Sequence, residues 1–368
     1  MFTALTNATV FTGKEESTGK AILIKSDRIE GLVDIRSVPV GAKIIDCNNN
    51  YIAPGLIDLQ IAGGGGYLFS ANPSVEALTG MAESITKSGT TGFLIAIPTD
   101  SFETYLKVIR MLKANPHPAV LGLHLEGPYI NPFRRGAHKE NLVKHPQRTE
   151  VETLLKEADG VIKMMTLAPE ICNPEIIRLL RDHNVVVSAG HSNATFEEAI
   201  LGFKWGIQAT THLFNAMSQL HHRDPGLPGA TFEAENVYAA IIADGIHVNF
   251  NTISIAKKLM KERLYLVTDA VEENLSGANV HIKQKDRFTS PDGILSGSLL
   301  TMLKAVKNCV KHVGIPLDEA LRMASTYPAK LINSSDQGEI AQGYKANLLE
   351  FNKDFEVKRV IIEGTFVH

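Results

Sequence analysis

Between residues 54 and 337 short apolar runs alternate with stretches of helical period. The runs centre on Leu56-Ile57, Phe93-Leu94-Ile95, Val120-Leu121-Gly122-Leu123, Met164-Met165-Thr166-Leu167, Val185-Val186-Val187, Ala209-Thr210-Thr211, Ala239-Ala240-Ile241-Ile242 and Tyr265-Leu266-Val267. Most are apolar throughout, as parallel strands covered on both faces tend to be. Leu78, Met81, Ala82 and Ile85 fall at i, i+3, i+4 and i+7 before Gly89, which predicts a helix. Leu299, Met302, Leu303, Val306 and Val310 predict another between a Ser298 cap and Gly314. Eight strands alternating with helices predict an α/β fold, a (β/α)₈ TIM-like barrel over residues 54–337. An open doubly wound sheet is the alternative, but no G-x-G-x-x-G opens a helix after the first run.

The chain ends have a different texture. Ala21–Ile24, Arg28–Val33 and Ala42–Cys47 are short apolar-rich segments, followed by the turn signal Asn48-Asn49-Asn50. Ala346–Phe351 and Val357–Ile362 resume the pattern. Neither piece alone can bury a face, so residues 1–53 and 338–368 are expected to combine into one small β-sandwich domain.

Composition narrows the function. The 368 residues carry 37 basic and 40 acidic side chains, a net charge of −3, so no overall field favours nucleic acid or acidic membranes. No apolar run approaches the roughly 20 residues of a bilayer span. Met1–Thr6 has no basic leader before an apolar stretch, so no signal peptide is expected. Cys47, Cys172 and Cys309 form no C-x-x-C pair, which fits a reducing cytoplasm and offers no thiolate metal site. A cytoplasmic enzyme is expected.

Polar residues interrupt the apolar runs at equivalent places. Glu126 follows the third run, His191 the fifth, His212 the sixth and Asp269 the eighth. In a barrel these ends share one face, where active sites form. Two imidazoles and one carboxylate make a zinc-type site with an open position, and a separate carboxylate can serve as base. Taken singly, each of these residues reads as structural; four at equivalent strand ends do not. His117, His145, His183, His281, His312 and His368 keep the structural reading.

Longer motifs carry a resemblance. Pro54-Gly55-Leu56-Ile57-Asp58 opens the first strand as in the amidohydrolase superfamily. His124-Leu125-Glu126-Gly127-Pro128, Ser188–Thr195, Thr211–Met217, Ala243–Val248, Leu266–Ala270 and Gly338–Asn347 resemble its N-acetylglucosamine-6-phosphate deacetylase branch, in order and over nearly the whole chain. The resemblance implies metal-dependent hydrolysis of the acetamide of N-acetyl-D-glucosamine 6-phosphate in amino-sugar catabolism. It implies Glu126, His191 and His212 as ligands of one divalent metal per subunit, zinc first, with iron, manganese or cobalt as alternatives. Asp269 would be the general base and then acid, with His138 at the acetyl carbonyl. Asn215, Ala216, Arg223 and His247 would hold the sugar phosphate, with Arg223 reaching the neighbouring site of a homodimer.

Amidohydrolases commonly carry His-x-His at the end of the first strand, supporting a second metal. Gln60 and Ala62 stand there, so a single metal is expected and Gln60 joins the candidate substrate contacts. Gly63-Gly64-Gly65-Gly66 lacks the Gly-Lys-Ser/Thr of a P-loop and is expected as a mobile loop over the site mouth. His221-His222-Arg223 is the better anion site. Three alternatives stay open: N-acetylgalactosamine 6-phosphate as substrate, a cyclic-amide hydrolase or deaminase on the same barrel, and a metal-free structural homologue. The last would be expected to have lost ligands, and Glu126, His191, His212 and Asp269 all remain.

Overall fold

A computed structural model describes residues 1–276 and 279–368. Its centre is an eight-stranded parallel sheet: β1 Leu56–Ile61, β2 Thr90–Pro98, β3 Val120–Glu126, β4 Ile162–Leu167, β5 Val186–Ala189, β6 Ala209–Thr210, β7 Tyr238–Ile242 and β8 Leu264–Val267. Each strand pairs with the next in sequence. The sheet closes where the Asp269 N–H donates to the Gln60 carbonyl and the Ala62 N–H to that of Ala270, both at 2.9 Å. All eight apolar runs therefore form the predicted barrel.

One helix follows each strand: α1 Val75–Lys87, α2 Phe102–Ala114, α3 Arg148–Ala158, α4 Pro174–Asp182, α5 Phe196–Trp205, α6 Gly226–Glu233, α7 Phe250–Met260 and α8 Met302–Asn308. α1 buries the predicted stripe Leu78, Met81, Ala82 and Ile85, and Ser74 caps it by accepting the Ala77 N–H. Thr195 and Glu198 cap α5 reciprocally. The start of α8 corrects the sequence reading. Its cap is Thr301, while the Ser298 hydroxyl donates to the Thr268 carbonyl at 2.6 Å and ties the chain to the end of β8. α8 also stops early, passing into a π turn over Cys309–Val313 before Gly314 at φ +80°.

The chain ends form two sheets. Phe2–Thr6 lies between Lys20–Lys25 and Lys43–Asp46, with Arg28–Asp34 at the edge. The second sheet runs Thr365–Phe366, Val357–Ile362, Leu348–Phe351, Tyr51–Pro54, Thr9–Phe11 and Glu16–Ser17. The alternation of a strand explains its position. Ile52, Leu348 and Ile361 face the first sheet, whereas Ala53, Leu349, Val360 and Ile362 join the barrel core. The predicted sandwich is thus also a cover for the barrel. Among the described residues no helix is long and apolar enough to cross a membrane.

Two further departures bear on the site. Gly63–Gly64 pairs with Tyr67–Leu68 in a hairpin turned by Gly65 and Gly66 at φ +65° and +87°. It lies on α1, where a Cβ on Gly65 would come within 2.7 Å of Ser84. The hairpin lines a separate cavity of about 180 Å³, so it is not the expected loop over the site mouth. The segment between β8 and α8 contains a three-stranded sheet of Ile282–Lys283, Phe288–Thr289 and Leu295–Gly297, which the apolar pattern does not announce.

Candidate metal centre and substrate cavity

The four polar strand-end residues converge at the C-terminal mouth of the barrel. Glu126 is the last residue of β3, in register with Pro98 and Thr166 on either side. His191, His212 and Asp269 each stand two residues beyond their strand, with φ of +48°, +28° and +50°. Such left-handed geometry at non-glycine residues costs on the order of 1–3 kcal/mol each and persists only where surroundings enforce it. Backbone hydrogen bonds do so here. The His191 carbonyl accepts from Asn131 at 2.8 Å, and Asp269 is held by the Gln60 carbonyl and the Ser298 N–H, both at 2.9 Å.

His212 Nε2 lies 3.0 Å from Glu126 Oε1 and 3.1 Å from His191 Nε2, and the third edge, His191 Nε2 to Glu126 Oε1, is 3.3 Å. A tetrahedral ion with bonds of about 2.0–2.1 Å has ligand–ligand edges of roughly 3.3 Å, so the buried triangle fits one metal ion. The tautomer of His191 fits as well. Its Nδ1 is 2.9 Å from the Arg134 carbonyl, which can only accept, so Nδ1 carries the proton and Nε2 offers its lone pair. Burial and the nearby His138 hold this imidazole neutral, down to about 4 against the pull of Glu126. Burial opposes the charge on Glu126, but the imidazoles of His138, His191 and His212 around it outweigh that cost and keep the carboxylate well below its ordinary range.

One layer deeper a polar chain fixes the floor. His124 Nδ1 bonds the Leu59 carbonyl at 3.0 Å, so Nε2 accepts from the Thr166 hydroxyl at 2.7 Å. Thr166 and Ser188 each lie 2.6 Å from the Thr211 hydroxyl. Every member of this buried chain is satisfied, which rigidifies the strand ends above it. Gln60 belongs with this support. Its Nε2 donates to Glu126 Oε1 at 2.9 Å and to Asp269 Oδ1 at 3.1 Å, and its side chain does not line the cavity. The structure therefore places it beneath the carboxylates and outside the cavity lining.

Above lies a cavity of about 540 Å³. Glu126, His191, His212 and Asp269 form its base, and His138, Asn215, Ala216 and His247 line its walls. Burial and the Glu126 charge push Asp269 up to about 6. His138 Nδ1 receives the Thr99 N–H at 3.1 Å, leaving Nε2, 3.7 Å from Glu126 Oε2, to carry a proton. Asn215 donates its side-chain amide to the His212 and Leu213 carbonyls at 3.2 and 3.3 Å. His247 Nδ1 is 2.5 Å from Asp244 Oδ2. Arg223 lies outside this cavity, exposed on the turn closed by His221 and Asp224.

Sequence reasoning missed one wall. Val280, His281, Ile294, Leu295, Ser296 and Gly297 enter from the segment between β8 and α8. His281, read from the sequence as structural, is among them. It lines the cavity, with Nδ1 bonded to Ser296 at 2.9 Å. Asp244 was also missed, although Asp and His three residues apart around Gly245 were a readable signal.

A model of the amidohydrolase family matches residues 51–367. The N-acetylglucosamine-6-phosphate deacetylase of Haemophilus influenzae is 34% identical, over 98% of this chain and 98% of its own. The N-acetylgalactosamine-6-phosphate deacetylase of a Shewanella species is 32% identical, over 86% of this chain and 83% of its own. The crystal structure of N-acetylglucosamine-6-phosphate deacetylase from Pasteurella multocida superposes with a TM-score of 0.95 at 34% identity, covering 100% of this chain and 99% of that one. With its barrel, its strand-end Glu-His-His triangle and these relatives, the chain belongs to the amidohydrolase family.

Proposed function

We propose that this chain hydrolyses the acetamide of N-acetyl-D-glucosamine 6-phosphate, giving D-glucosamine 6-phosphate and acetate in cytoplasmic amino-sugar catabolism. One observation carries the reading: the Glu126, His191 and His212 triangle, with Asp269 at its side, in a chain 34% identical to a deacetylase of that name along nearly its whole length. Glu126, His191 and His212 would hold one divalent ion per subunit, zinc before iron, manganese or cobalt. Bound there, the ion supplies Lewis acidity, making water a competent nucleophile at neutral pH and polarising the acetyl carbonyl.

The remaining work falls to the chain's own groups. Asp269 accepts the proton of the attacking water and returns it to the sugar nitrogen as the C–N bond breaks, because an unprotonated amine leaves poorly. Gln60 steadies Asp269 through the 3.1 Å bond and leaves its second oxygen for this transfer. His138 donates its Nε2–H to the carbonyl oxygen as negative charge develops there. Asn215, Ala216 and His247 take the sugar phosphate, and Arg223 completes the neighbouring site in a homodimer, which suits its place outside its own cavity.

A second reading, deacetylation of N-acetylgalactosamine 6-phosphate, is favoured by the relatives of that name at 30–32% identity. The test is acetate release by the purified, metal-analysed protein from both phosphorylated epimers and from unphosphorylated N-acetylglucosamine. Preference for the phosphorylated gluco epimer supports the first reading. Turnover of none of them overturns both.

A further inference from the structure

Asp244 is used by no step above, yet it is held tightly behind His247, which lines the cavity. It follows β7 on a turn that Gly245 makes at φ +79°, where a Cβ would come within 2.6 Å of the Phe250 ring. Its Oδ1 accepts the N–H groups of Ile246 and His247, both at 2.8 Å. Its Oδ2 takes Nδ1 of His247, and both side chains are only 6% exposed. A carboxylate can only accept, so Nδ1 of His247 carries the proton and the ring is turned with Nε2 away from Asp244. His247 lines the cavity, so Nε2 is the atom left for a ligand.

We propose that Asp244 is a positioning residue that fixes the tautomer and orientation of His247 and stabilises its imidazolium when an anionic phosphate binds at Nε2. The inference rests on the phosphosugar reading above. The arrangement is the carboxylate–imidazole pair by which proteins orient histidines, used here on a substrate anion instead of a metal. Burial makes it directional. Asp244 is sequestered from water and anchored by two backbone N–H groups, so its negative charge is presented chiefly through His247. A protonated His247 then stands between two anions, which favours a phosphate over a hydroxyl in that part of the cavity.

Asp244→Asn keeps the volume, and its carbonyl oxygen can still accept the two backbone N–H groups. Its NH₂ faces the His247 Nδ1 proton, so the ring must change tautomer or turn. The KM for N-acetyl-D-glucosamine 6-phosphate is expected to rise about 10–100-fold, the range seen when an orienting partner is removed, with kcat falling less than about threefold. Preference for phosphorylated over unphosphorylated sugar should contract by the same factor. A double-mutant cycle with His247→Gln separates positioning from folding. If Asp244 acts through His247, the double variant is no worse than His247→Gln alone, whereas additive losses overturn the proposal. Nitrogen-15 NMR of the histidine rings reads the tautomer without any substrate. It should report Nδ1–H for His247 in the wild type and lose that signature in Asp244→Asn. An unchanged His247 spectrum overturns the proposal even if the phosphosugar reading itself fails.

Discussion

The Thr99 backbone N–H points at Nδ1 of His138 from 3.1 Å, and the Thr99 hydroxyl lies 2.8 Å from the same atom. An amide N–H cannot accept, so this contact sets His138 as a donor through Nε2. His138→Phe, which fills the space without a donor, should therefore lower kcat by about 10²–10³, the usual loss of one oxyanion donor, with little change in KM. Single-turnover kinetics with the phosphosugar check it. A rise in KM alone would make His138 a binding group.

Metal content should be one equivalent per chain, because Gln60 and Ala62 stand where a second set of ligands would be needed. His212→Ala should lose metal and activity together, and a chelator should inactivate the wild type reversibly. Elemental analysis against active-site concentration decides it. Two tightly held equivalents would contradict the single triangle.

Asp269 must be ionised to accept a proton, so the rate should fall as pH drops through its pKa. Burial and Glu126 set that pKa at about 6, and a bound cation would draw it lower. The acidic limb of the kcat–pH profile should have its midpoint at or below about 6 and a slope of one. Asp269→Asn should lower kcat by roughly 10²–10⁴ and abolish that limb while metal content stays near wild type. Loss of metal instead would make Asp269 chiefly a ligand.

Arg223→Ala should weaken the phosphorylated substrate strongly, on the order of 2–5 kcal/mol as for a truncated charge pair, and affect the unphosphorylated sugar far less. Mixing Arg223→Ala with an Asp269→Asn partner tests whether it serves the other subunit. In a homodimer with a shared site, mixed dimers hold one site that lacks both groups and one that is intact, so activity should reappear.

Asp58, buried on β1, gives a stability prediction. Burial pushes its carboxyl up to about 7 from 3.8, despite hydrogen bonds from Thr268 and the Gln60 N–H. An acid held more tightly protonated when folded supports stability fully below its unfolded pKa, and that support is lost as pH rises through about 7. Asp58→Asn stays neutral, so its Tm relative to the wild type should improve as pH rises from about 4 to about 7 and level off above, by up to about 1.4 kcal/mol of stability per pH unit. A Tm difference that does not vary with pH would show that Asp58 is ionised throughout.

The barrel was legible because each strand is buried on both sides, leaving a continuous apolar run that polar residues interrupt at one end. Glu126, His191, His212 and Asp269 were readable for the same reason. The segment after β8 was not, since its strands span two or three residues and bury too little to impose a period. His281 therefore kept a structural reading, and nothing marked Ser296, until the fold turned both toward the cavity. Ser298 resembled a helix cap, but its hydroxyl serves a nearby carbonyl instead. Gln60 could be read as a missing metal ligand, but the bond that it makes to both carboxylates depends on barrel closure.

The sheet covering the barrel also sets an order of events in synthesis. Tyr51–Pro54, which leads directly into β1, pairs on one side with Leu348–Phe351, made almost 300 residues later. Until those residues leave the ribosome, Ala53 and the barrel-facing part of the core have no lid, and Tyr51–Pro54 lacks one of its neighbours. The nascent chain must therefore hold an unfinished barrel for most of its translation, at about 5–20 residues per second, and relies on protection from aggregation during that interval. A stop codon before Leu348 should accordingly yield an insoluble product even though all eight barrel strands and Glu126, His191 and His212 have been made.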